Sequence, residues 1–195
     1  MPTISALSPP TVLPSLAQGG ETVYVVIETP RGSRNKISFD EELGAFRLKK
    51  VLPQGMSFPY DFGFIPSTLG SDGDPLDALV IMDEPASPGC VTECRLIGAI
   101  LGEEGPEKRA TRNDRLVAVA VPSLVHQGLR SLADMDKARL EELEKFFVNY
   151  NSVHGKEYRL LGCKGPQRAW KLLQEGMRAW KRTQEKEGPK EVSRS

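Results

Sequence analysis

Asp72-Gly73-Asp74-Pro75-Leu76-Asp77-Ala78-Leu79-Val80-Ile81-Met82 is the stretch on which the reading of the whole chain turns. Three carboxylates fall within its first six residues, on a segment that Gly73 and Pro75 force to turn. The apolar run that follows has the length of a buried strand. A turn packed against a strand cannot spread its charges freely, so Asp72, Asp74 and Asp77 are expected to converge on one small volume. Carboxylates that close repel one another unless a cation sits between them. With no Cys or His beside them, these oxygen donors favour a hard ion, Mg2+ or Ca2+. The spacing opens like an EF-hand loop, but Asp77 and Asp83 stand where that loop needs glycine and glutamate, which excludes it. Alone, an Asp-x-Asp pattern reads most simply as a polar surface turn, so the flanks decide.

Working outward, the chain of 195 residues suits one domain with a real core. Lys+Arg and Asp+Glu balance at 26 each, so no global field points to nucleic acid or an acidic membrane. No apolar run approaches the roughly 20 residues needed to span a bilayer. Cys90, Cys94 and Cys163 lack the partners of a zinc site and read as small semi-buried thiols. With no secretory signal, they fit a reducing cytoplasm.

Strands come first. Residues 1–20, with Pro9, Pro10 and Pro14, read as a flexible or loosely docked arm. Thr22 to Glu28 is a strand, apolar until Glu28 closes it, and Asn35 to Phe39 alternates as a half-buried strand should. The next strand, Ala45 to Leu52, carries Lys49 and Lys50, which alternation sends to opposite faces. Long apolar runs follow at Val91 to Leu101 and Leu116 to Val121, separated by a charged loop. This order predicts a closed or half-closed antiparallel sheet. Helices come late. Ser131 or Asp134 can cap one whose inner stripe is Leu140, Leu143, Phe147 and Tyr150. A second, from about Gln167 to Glu185, carries Trp170, Leu173, Met177 and Trp180 on one face, with a charged tail from 184 onward. Residues 21–183 therefore form the single folded unit.

Ahead of the acidic turn lies Phe58-Pro59-Tyr60-Asp61-Phe62-Gly63-Phe64-Ile65-Pro66. An aromatic-Gly-aromatic-Ile-Pro approach, then D-G-D-P-x-D before an apolar strand, resembles the signature of the soluble (family I) inorganic pyrophosphatases. The resemblance spans residues 20 to 165. It implies a five-stranded, OB-like closed barrel flanked by two α-helices, Mg2+-dependent hydrolysis of inorganic diphosphate, and a homo-oligomer, a hexamer in prokaryotic members. It also implies roles. Asp72 and Asp77 are similar to direct metal ligands, and Asp74 to the carboxylate that orients or deprotonates the attacking water. Glu28 resembles the glutamate that holds an outer metal through water. Lys36 stands in the place of a phosphate-binding lysine, and Tyr150 in that of a helix tyrosine whose hydroxyl binds a phosphate oxygen.

Several positions depart from the pattern. Ser38 replaces an acidic residue, and Lys50 replaces an arginine, keeping the charge but losing the bidentate fork. Phe62 replaces a substrate tyrosine, with Tyr60 nearby as the candidate substitute. Asn113, with Asp114 beside it, replaces a metal-binding aspartate, Arg115 replaces lysine, and Asn151 replaces the lysine after the helix tyrosine. Glu103 or Glu104 is the nearest candidate for the acidic residue of the preceding loop. These departures leave two further readings beside the hydrolase: a non-catalytic metal and diphosphate-binding protein, and an enzyme acting on a related phosphoanhydride.

Overall fold

The computed structural model describes residues 8–187. Its strands are β1 (Val23–Thr29), β2 (Asn35–Asp40), β3 (Ala45–Val51), β4 (Asp61–Phe64), β5 (Asp77–Ile81), β6 (Val91–Glu104), β7 (Thr111–Arg112), β8 (Arg115–Ala120) and β9 (Tyr158–Lys164). Two helices, α1 (Lys137–Ser152) and α2 (Pro166–Glu187), complete the fold. Five strands close on themselves: β1 pairs β4, β4 pairs β5, β5 pairs β8, β8 pairs β6, and β6 returns to β1. The 14-residue β6 makes closure possible, because Val91 to Cys94 serve β1 while Cys94 to Ile100 serve β8. A closed ring leaves no free edge among these five strands. The mainly β, two-helix architecture agrees with expectation. One pairing does not: β5 and β8 run parallel, inside a ring expected to be antiparallel throughout.

Alternation along the strands feeds two cores. Ala78, Val80, Leu116 and Ala118 pack with Ala169, Leu172 and Leu173 of α2. Their neighbours Leu79, Ile81, Val117 and Val119 pack with Leu143 and Phe147 of α1 and with Phe58 and Phe62. The buried face of α2 thus centres on Ala169, Leu172, Leu173 and Gly176, slightly rotated from the expected tryptophan stripe. Asp136 caps α1, accepting from Ala138 N at 2.9 Å and Arg139 N at 3.3 Å. Ser131 and Asp134 instead form a capping box on a short 3-10 turn before it.

Residues 8–20 pack more firmly than a loose arm. Ser15 and Ala17 are buried, Ser15 Oγ donates to Pro66 O at 2.7 Å, and Leu16 bridges to Val23. Residues 1–7, also assigned to the arm, and residues 188–195 of the expected tail lie outside the described residues, while 184–187 continue α2. Cys90, Cys94 and Cys163 are free thiols. Among the described residues no helix is long and apolar enough to cross a membrane.

Candidate active site

The parallel pair β5 and β8 begins at one end with Asp77 and Arg115, since Ala78 stands opposite Leu116. That register places the Arg115 Nε 3.9 Å from Asp77 Oδ2 at the rim of the ring. Arg115 is 3% exposed, lies over the rings of Phe147 (4.3 Å) and Tyr158 (4.9 Å), and donates to Asn113 O at 3.1 Å. A planar guanidinium suits this stacking between rings better than an ammonium does.

Above this rim opens a cleft of about 620 Å³, lined by the carboxylates Asp72, Asp74, Asp77 and Glu104 together with the cations Lys36, Lys49, Lys50, Arg115 and Lys156. Gly73, at φ +92°, makes the turn that separates Asp72 from Asp74. Asp72 Oδ1 accepts from Asp74 N at 3.3 Å. Burial, then the Asp74 charge, raises the Asp72 carboxyl above its ordinary value despite that bond. Burial pushes Asp77 up to about 6, against the pull of Arg115 and Lys36. The three aspartates share the cleft but not a tight cluster: among the described residues, no three Asp, Glu, His or Cys side chains are grouped to enclose an ion. Asp72 and Asp74 stand on the turn and Asp77 at the start of β5, so the three reach the same cleft from two elements. Their chemistry fits a divalent cation, because all donors are carboxylate oxygens.

Lys36, Lys49 and Lys50 come from the β2–β3 hairpin. Lys36 pairs across from Lys50, and Ile37 from Leu48, so Lys49 is an extra, unpaired residue. This bulge turns Lys49 and Lys50 both toward the cleft, where strict alternation predicted only one. The Lys36 ammonium sits 3.9 Å from the centre of the Phe62 ring and 5.8 Å from that of Phe58. Phe62 therefore gives the site a ring face for a cation in place of a hydroxyl. Tyr60 supplies no substitute; it borders a separate hollow with His126 and Arg139. Burial, then repulsion from Lys156 and Lys36, lowers the pKa of Lys50.

Glu28 is 8% exposed and turns both oxygens to the hairpin: Oε1 accepts from Phe39 N at 2.8 Å, and Oε2 lies 3.4 Å from the Lys36 ammonium. It borders an adjoining hollow with Ser38, Asp74 and Asp77. On α1, Tyr150 faces the cleft from among Phe58, Phe146 and His154. Burial and the charge of Asp77 push its hydroxyl up to about 12. Asn151 also reaches the cleft, but its side-chain amide donates to Phe147 O at 2.8 Å.

Of the two candidate glutamates, strand alternation sends Glu103 away, onto Arg159 at 2.6 Å, and Glu104 into the cleft. Of the two, Glu104 is the one that lines the cleft. Asp114 accepts through Oδ1 from Arg112 at 2.6 Å and from Gly102 N at 3.0 Å, and it lines a second hollow together with Asn113, Asp72 and Asp77. Lys156 was missed from the sequence. The glycine-lysine pair after α1 was its only signal, and the cleft is formed across elements far apart in the chain.

A five-strand ring with carboxylates and basic side chains gathered in one rim cleft defines a barrel protein whose site suits an anion together with cations. The sequence profile described as "Inorganic pyrophosphatase" matches residues 25–181. The inorganic pyrophosphatase of Synechocystis is 37% identical over 159 residues, covering 82% of this chain and 92% of that protein. That of Geobacillus stearothermophilus is 38% identical over 160 residues, covering 82% and 94%. The crystal structure of the Thermus thermophilus inorganic pyrophosphatase superposes with a TM-score of 0.80 at 34% identity, over 88% of this chain and 98% of that one. The chain belongs to the inorganic pyrophosphatase family.

Proposed function

We propose that this protein is an enzyme that hydrolyses inorganic diphosphate to two phosphates, with Mg2+ as its cofactor. The observation that supports this is the cleft itself, which gathers Asp72, Asp74 and Asp77 with Lys36, Lys50 and Arg115. Diphosphate bears several negative charges, so cations must neutralise it before a water can attack. Mg2+, held by Asp72 and Asp77 with Asp74 and Glu28 near them, supplies neutralising charge and Lewis acidity when bound. Lys36, Lys50 and Arg115 bind and orient the phosphoryl oxygens. Asp74, on the exposed turn, takes the proton of the attacking water as its oxygen bonds to phosphorus. The bridging P–O bond breaks, and one phosphate leaves on the bridging oxygen. Tyr150, with its hydroxyl pushed up to about 12, stays protonated at neutral pH and donates to a phosphoryl oxygen. Asn113 offers at best a neutral oxygen, which weakens one side of the metal site.

The free thiols fit a cytoplasmic enzyme, and the homo-oligomer implied by resemblance is read directly by light scattering. The test of function is phosphate release from diphosphate with added Mg2+. Asp74→Ala lowers kcat by about 10²–10⁴-fold, the usual contribution of a general base. Wild-type release no faster than that variant, with diphosphate still bound, would instead mark a non-catalytic binder.

A further inference from the structure

Glu104 lines the cleft in an unusual way. Its Oε2 accepts from Asn113 Nδ2 at 3.1 Å, and its Oε1 pairs with the Lys156 ammonium. Asn113 thus presents N–H, not an oxygen lone pair, to the Glu104 carboxylate, and a hard cation takes only oxygen lone pairs. The carboxylate and ammonium already cancel one another. The backbone that carries this side chain is fixed: Gly155 turns the chain at φ +69° after α1, and Lys156 N donates to Asn151 O at 3.0 Å. The same side chain lines the cleft beside Lys50, whose pKa its charge helps to lower.

We propose that Lys156 is a built-in cation: its ammonium takes, at the Glu104 end of the cleft, the place that a divalent ion would otherwise fill, and it meets the diphosphate there. The contact with diphosphate rests on the hydrolase reading above; the exclusion of an ion does not. Part of the charge neutralisation in this cleft then comes from the chain and needs no metal.

The experiment counts Mn2+ bound per chain, from the paramagnetic resonance of the free ion, in the wild type, Asn113→Asp, and Asn113→Asp combined with Lys156→Gln. The combined variant binds one more ion than the wild type, because two carboxylates then face each other without the ammonium. Asn113→Asp alone binds the same number as the wild type. An unchanged count in the combined variant overturns the proposal, and so does a gained ion in Asn113→Asp alone. A second measurement needs no new carboxylate. Lys156→Gln, at a side chain 52% exposed, weakens diphosphate binding in Mg2+ by about 10–100-fold, the worth of one charge-assisted contact, while Lys156→Arg retains most of it. Equal affinity in wild type and Lys156→Gln overturns the proposal. A wild type that binds no diphosphate, with ion counts as expected, removes the hydrolase reading and the substrate contact, and leaves the ion replacement standing.

Discussion

Glu28→Ala should loosen the β2–β3 hairpin before it changes anything else. The hairpin carries Lys36, Lys49 and Lys50, and its β2 strand is tied to β1 through two side chains. Thr29 Oγ1 bonds Ile37 N and O at 3.0 and 2.9 Å, and Glu28 holds Phe39 N and Lys36. The Phe39 bond to a buried carboxylate is charge-assisted and worth about 1.5–3 kcal/mol. The Lys36 pair, with side chains 13% and 10% exposed, adds about 1 kcal/mol net, since desolvation offsets most of its attraction. Losing about 3 kcal/mol raises the frequency of local opening about 100-fold, at 1.36 kcal/mol per tenfold. Native-state hydrogen exchange reads this at the amides of Ile37 and Phe39. Glu28→Gln keeps an acceptor for Phe39 N but not the charge, and falls between. KM for diphosphate rises with the opening, because Lys36 and Lys50 no longer stand in fixed positions. If Glu28 acts only through a metal, Glu28→Ala changes the Mg2+ dependence and leaves exchange in 36–40 unaltered. That result would refute the latch.

Two further tests concern the scaffold. Asp61 is 1% exposed, and burial raises its carboxyl despite bonds from Ala86 N and Arg31 N, both to Oδ1. A raised folded value means that the folded protein binds this proton more tightly than the unfolded chain, so stability is lost as pH climbs from about 4 through the folded value. Asp61→Asn keeps the accepting oxygen and escapes that loss: its urea midpoint at pH 7 exceeds that of the wild type, and the gap closes toward pH 4. Gly63 lies in β4 opposite Ile27, where an added Cβ would stand 1.9 Å from Val26 O. Two paired strands cannot separate locally, so Gly63→Ala costs more than about 4 kcal/mol and shows as lost thermal stability or no folded protein.

The order of strands, the late helices and the acidic turn were legible because each rests on local pattern. Apolar runs such as 78–82 and 116–121 announce buried strands whatever their partners. The parallel pairing of β5 and β8 was not legible, since nothing within either run states its direction relative to the other. Yet that pairing is what sets Asp77 beside Arg115. The bulge at Lys49 was hidden for a related reason: period-2 alternation assumes unbroken pairing, and one extra residue cancels it. Glu103 and Glu104 were indistinguishable until β6 had a register, which then sent one to Arg159 and the other to the cleft. Lys156 was out of reach because its role depends on Glu104, distant in sequence and joined only by the fold.

Four of the cleft's positions seat a protein cation. Where a hydroxyl was expected, the ring of Phe62 receives the Lys36 ammonium at 3.9 Å. Where lysine was expected, Arg115 stacks over Phe147 and Tyr158. Lys50, in place of arginine, lies 5.3 Å from the Tyr150 ring, and Lys156 is held by Glu104 where an aspartate is replaced by Asn113. Each change fixes a protein cation against a ring face or a carboxylate, and aromatic seats of this kind are worth about 0.5–2 kcal/mol each. A cleft so arranged holds its positive charge in place before the anion arrives, with less reorganisation on binding. Lys50 and Arg115 conserve charge and Asn151, in place of lysine, removes one, so these contacts alter how firmly the cations are held and not how many the chain supplies.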